Sequence, residues 1–92
     1  MLQVRAFTGA QSALLHGYRV GAICISADGT NACVVVIKEH STGQVWVSAN
    51  LAASGAGSAW HQFFGEDGVG VPNEGIDITT TAGSPIVTFF VK

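Results

Sequence analysis

Two cysteines, three histidines and six carboxylates are the groups in this chain with chemistry to offer, and their spacing narrows what that chemistry is. Cys24 and Cys33 flank Asp28-Gly29, the dipeptide favoured in a two-residue type I′ hairpin turn. Counting outward from that turn pairs Ala27 with Thr30 and sets Cys24 opposite Cys33. This is a non-hydrogen-bonded position, where side chains come close and a cross-strand disulfide fits. The competing reading is two small buried apolar residues kept reduced. Zinc chemistry is not expected, because two cysteines without CxxC or HxxxH partners do not supply four ligands.

His16, His40 and His61 are far apart in sequence. No GxSxG marks a nucleophile. Ser84, in Ala82-Gly83-Ser84-Pro85-Ile86, lacks the second glycine, and Pro85 reads as a turn. A nucleophile–base–acid set is therefore not expected, and no catalytic residue is assigned. Glu66, Asp67, Asn73, Glu74 and Asp77 gather in one stretch with the oxygen donors calcium prefers. Their spacing does not follow an EF-hand loop, so the expectation is a solvated, turn-rich loop without metal. Gly68-Val69-Gly70-Val71 is followed by no GK[ST] and no helix, which removes a phosphate loop. No cofactor is expected.

Trp46, Trp60 and Tyr18 offer rings for stacking on a sugar, with His61 and Gln62 as polar neighbours of Trp60. The competing reading places these aromatics in the core or at a subunit interface.

The elements that must hold these residues are strands. Val, Ile, Thr and Phe are common, and Gly, Asp-Gly, Asn and Pro punctuate at short intervals, the pattern of a sandwich or barrel. Strands are expected near Gln3–Thr8, Ala13–Leu15, Tyr18–Ser26, Ala32–His40, Gln44–Ala49, Ala59–Phe64, Gly75–Thr81 and Ile86–Val91. A second hairpin turns at Ser41-Thr42-Gly43 with Gly43 left-handed, pairing His40 with Gln44, Lys38 with Trp46 and Val36 with Ser48. Tyr18–Ala49 then reads as a three-strand meander. Cys33–Ile37 and Ile86–Val91 are apolar on both faces where a half-exposed strand would alternate. The last strand would be hazardous as a bare edge, so it is expected inside a sheet or sealed by a subunit contact. The fold class is all-β: one domain over residues 1–92, a compact antiparallel β-sandwich of about seven to eight short strands, with a jelly roll as one form of it.

Ninety-two residues suffice for one domain that hides only about 63% of its unfolded surface. Charged residues are 11% against about 25% in an average domain, while 48% are apolar. So neutral a surface fits a protomer covered by neighbours. Net charge is −2 and only Arg5, Arg19, Lys38 and Lys92 are basic, which argues against a nucleic-acid partner. No apolar run has the length of a membrane span. Met1–Arg5 lacks a charged segment followed by an apolar one, so a chain made in the cytoplasm and used without export is expected.

The closing stretch runs Gly75-Ile76-Asp77-Ile78-Thr79-Thr80-Thr81-Ala82-Gly83-Ser84-Pro85-Ile86-Val87-Thr88-Phe89-Phe90-Val91-Lys92. It resembles the end of many short tailed-phage proteins: a glycine, alternating hydrophobics, a small-residue turn, then Val/Thr/aromatic alternation and a terminal Lys. The likeness extends in outline over Tyr18–Lys92. It implies a bacteriophage virion protein of the capsid decoration or cement type, a homo-oligomer with a trimer favoured, whose partner is the major capsid protein. It carries over no catalytic residue. The expected function is then mechanical, bridging coat subunits and burying apolar area at their junctions. Phe7, Leu14, Leu15, Trp60, Phe63 and Phe64 are the expected interface residues. A receptor- or glycan-binding module of a tail or head fibre is the alternative, and a small inhibitor of a host enzyme a third.

Overall fold

The computed structural model describes residues 3–92. Met1 and Leu2, the start of the opening segment discussed above, lie outside the described residues. Among the described residues nine strands follow one another: β1 (Gln3–Thr8), β2 (Gln11–Leu14), β3 (Arg19–Ser26), β4 (Cys33–Glu39), β5 (Val45–Leu51), β6 (Ala59–Phe63), β7 (Val69–Gly70), β8 (Ile76–Thr80) and β9 (Ile86–Val91). The Glu66–Glu74 segment, read as loop, thus contains the two-residue strand β7, which pairs with β3 through Arg19–Gly70 and Val20–Val69.

The strands form two antiparallel sheets, ordered β1-β9-β3-β6, with β7 also on β3, and β2-β8-β4-β5. Setting β7 aside, the first strand pairs with the last (β1·β9), the second with the next to last (β2·β8), then β3 with β6 and β4 with β5. The chain is a folded-back ribbon of four strand pairs. It is rolled so that β9 lies on β3 and β8 on β4. This is the connectivity of an eight-stranded jelly roll, the arrangement entertained from sequence.

Alternation follows from the two layers. In β9, Val87, Phe89 and Val91 are fully buried, and in β3 so are Val20, Ile23 and Ile25. They meet Val35 and Ile37 of β4, Val47, Ala49 and Leu51 of β5, and Ile76 and Ile78 of β8 in one core. The closing strand Ile86–Val91 is internal, between β1 and β3, as its two apolar faces require.

The Asp28-Gly29 hairpin does not form. Both edges of β3 are occupied, by β9 and β6, so β4 crosses to the other sheet and Tyr18–Ala49 is not a meander. The turn chemistry is instead that of the Asp28 side chain. Its Oδ1 accepts from the Thr30 and Asn31 amides at 2.9 and 2.8 Å, a local capture of backbone donors that competes with a hairpin ladder. The β4–β5 hairpin does form, with Gly43 left-handed (φ 74°) and Val36 opposite Ser48. Beyond Val47 the register slips at a bulge, so Lys38 faces Val45 rather than Trp46. The bulge lets the Trp46 indole Nε1 donate to Glu39 Oε2 at 3.1 Å and its ring meet Phe64 edge-on.

Candidate functional site

Register and pleat together define the outward face of the five-stranded sheet. Since Val87, Phe89, Ile23 and Ile25 point inward, the alternate residues of each strand point out. They align in three rows across β1, β9, β3 and β6. One row is Val4, Phe90, Ala22, Phe63; the next is Ala6, Thr88, Cys24, His61; the third is Thr8, Ile86, Ser26, Ala59. No Asp, Glu, Lys or Arg stands in these rows. Phe63 is 67% exposed and Val4 60%, the largest values among the big hydrophobics, and Ile86 is exposed too.

The first row holds a hollow of about 480 Å³ between Phe90 and Phe63, lined also by Gly21, Ala22 and Gly65, with Glu66 and Lys92 at hand. The Lys92 ammonium donates to the Glu66 carbonyl, and Lys92 N to Arg19 O at 2.8 Å. These bonds close the lower margin of the face. The hollow is open and mainly apolar, and lies beside the exposed Phe63 ring.

Of the six interface residues expected from sequence, only Phe63 lies on this face. Phe7 turns inward and meets Phe89 edge-on at 5.9 Å between ring centroids. Leu15 is buried, and Leu14, Trp60 and Phe64 pack against the core. Their apolar character reads equally as core, and only the register separates the two. Val4, Ala22, Ile86 and Phe90, not singled out from the sequence, share the face with Phe63. The available signal was the double apolar character of Ile86–Val91, since one of its two faces must look outward.

The cysteine pairing does not occur. Cys24 sits in the second row of the outward face, opposite His61, while Cys33 is buried in the other sheet, and both are free thiols. The disulfide rested on a hairpin that the fold does not contain, and Cys24 is not the buried residue of the competing reading.

Of the histidines, His40 Nδ1 lies 2.8 Å from Asp77 Oδ1. The same oxygen accepts from the Ala13 amide at 2.9 Å. The Ala13 amide first, then the His40 side chain, hold the Asp77 carboxyl below its ordinary range. Ala13 is left-handed (φ 55°), so Asp77 fastens an irregular edge strand. His16 Nδ1 lies 2.7 Å from Asn73 O, and His61 is exposed. Ser84 donates its amide to Asp28 Oδ2. Among the described residues, no three His, Cys, Asp or Glu gather closely enough to hold a metal ion. The acidic stretch is dispersed: the Asp67 carbonyl takes the Arg19 guanidinium at 2.8 Å, and Asp77 belongs to β8. Trp46, Trp60 and Tyr18 do not form one platform; each packs against the core, and Arg5 lies over the Tyr18 ring at 5.7 Å. Among the described residues, no helix is long and apolar enough to cross a membrane.

No family model, curated protein or solved structure matches the chain.

Proposed function

We propose that this chain is a non-catalytic structural protein that self-associates and cements a larger particle, in keeping with the resemblance of Gly75–Lys92 to tailed-phage decoration proteins. One observation carries the reading: an uncharged outward face spanning four strands, with Phe63 and Val4 largely exposed on it. Isolated exposed hydrophobics are ordinary, but an aligned row of them marks an interaction surface. A compact two-sheet roll is a suitable brick, since repetition over a lattice multiplies weak contacts. Ordering and desolvation offset part of each contact, so the gain comes from number rather than from any single junction.

The test is co-sedimentation of the purified chain with heads of the phage that encodes it, stripped of this protein. Saturable binding in a fixed ratio to coat subunits, with a raised melting temperature of the heads, is the expected result. Failure to bind heads, with a chain that also does not self-associate, contradicts the reading.

A further inference from the structure

We infer that the outward face of the five-stranded sheet is where a second copy of this chain docks, Phe63 of each copy entering the hollow beside Ala22 of the other. The inference rests on the self-assembly reading above and names its surface. Four properties of the face select a second copy as the occupant.

The first is self-complementarity. A protruding ring and a hollow adjoin in one row, and a two-fold axis satisfies both copies with a single contact type. The second is relief. Ala6, Cys24, Ser26 and Ala59 are small and stand among Thr8, Thr88, His61 and Ile86 in the rows away from the phenylalanines, so another sheet can settle there at about 10 Å. The third is charge. The rows hold none, and the margin beside the hollow has one cation and one anion, Lys92 and Glu66. A two-fold copy therefore meets no block of like charge, which would be costly at a closed contact. The fourth is area. The four strands, about 4.8 Å apart and five to eight residues long at about 3.3 Å per residue, make a face of roughly 19 by 20 Å. That footprint is at the small end for a specific contact, as suits a weak, concentration-dependent dimer.

The contact is isologous, so the smallest assembly is a two-fold dimer, and any larger one must use the sheet edges or the opposite face.

Sedimentation of the full chain tests this with three variants. Phe63→Asp places a charge on an exposed position, and Ala22→Arg fills the hollow. Val45→Asp makes the same kind of change at a residue 54% exposed on β5, in the opposite sheet. Circular dichroism and melting curves establish that each is folded. Dimerisation at least about tenfold weaker in Phe63→Asp and Ala22→Arg, with Val45→Asp like the wild type, is expected. Dimers that persist in both face variants, or an equal loss in Val45→Asp, overturn the assignment of the surface while leaving self-assembly standing. A wild-type chain that stays monomeric up to ~1 mM contradicts both.

Discussion

Asp28 Oδ2 accepts the Ser84 amide at 2.9 Å across a sequence separation of 56 residues, and this bond ties the crossing from β3 to β4 to the turn between β8 and β9. The same carboxylate accepts the Thr30 and Asn31 amides and the Asn31 side-chain amide, the last at 3.1 Å. One exposed side chain thus organises one end of the roll. The Ser84 amide, followed by those of Asn31 and Thr30, holds the Asp28 carboxyl well below the usual carboxylate range.

Replacing Asp28 is therefore expected to lower the melting temperature, more in Asp28→Ala than in Asp28→Asn. Asn keeps an oxygen for the Thr30 and Asn31 amides but offers a donor where Ser84 needs an acceptor. The pH sign follows from linkage: a folded-state pKa below the unfolded one gives stability that is complete above the unfolded value, near pH ~4, and declines on further acidification. Melting curves of wild type and Asp28→Asn should converge as pH falls below ~4. A gap that widens there would contradict the role of the carboxylate.

Asp77 does the same for β2. Removing it in Asp77→Ala leaves the Ala13 amide without its acceptor, and a loss of about 1–2 kcal/mol is expected. Amides of Gln11–Leu14 should exchange faster with solvent, since β2 is an edge strand held by β8 alone. Because the Asp77 carboxyl is also held low, this contribution is present above the unfolded pKa and is lost as pH drops through the folded one. Unfolding by urea at neutral and acid pH, with exchange read by mass spectrometry, checks both parts.

Gly75 and Gly43 are both left-handed but differ in their surroundings. A Cβ at Gly43 meets nothing within 4 Å, whereas one at Gly75 would lie 2.7 Å from Ala13 C and 2.8 Å from Leu14 O. Gly43→Ala should cost about 1–2 kcal/mol, the conformational term alone. Gly75→Ala should cost distinctly more, because backbone has to move. Equal losses in chemical denaturation would contradict the close approach of β2 to the start of β8.

The two thiols should separate by reactivity. Cys24 is exposed on the single chain and Cys33 is 6% exposed, so at dilutions that keep the chain monomeric a maleimide should modify Cys24 quickly, and Cys33 only on unfolding. Mild oxidation should produce no disulfide within one chain. Recovery of a Cys24–Cys33 peptide by mass spectrometry from folded, oxidised monomer would contradict the assignment of these residues to opposite sheets.

Much of the roll was legible in the sequence for local reasons. β1 and β9 fall on their expected bounds, since Gly9 ends the first run and Ser84-Pro85 opens the last. What local reasoning could not reach was the partner of each strand. Asp28-Gly29 carries a hairpin signal, yet long-range pairing of β3 with β9 and β6 overrides it, and with it fell the Cys24–Cys33 pairing. The candidate face was hidden for the same reason. Phe89 and Phe90 are adjacent and alike in sequence, but the pleat buries one fully and turns the other outward. Apolar residue type alone selected Phe7, Leu15 and Trp60, which serve the core; only register identifies Val4, Ala22, Phe90 and Phe63 as one row.

The most direct test of self-assembly through this face is the solution mass of the wild-type chain, by light scattering after size exclusion over a range of loading concentrations. The expected mass rises with concentration in the micromolar range from the 9.5 kDa of one chain toward at least twice that value. A constant mass of 9.5 kDa at every concentration would contradict it.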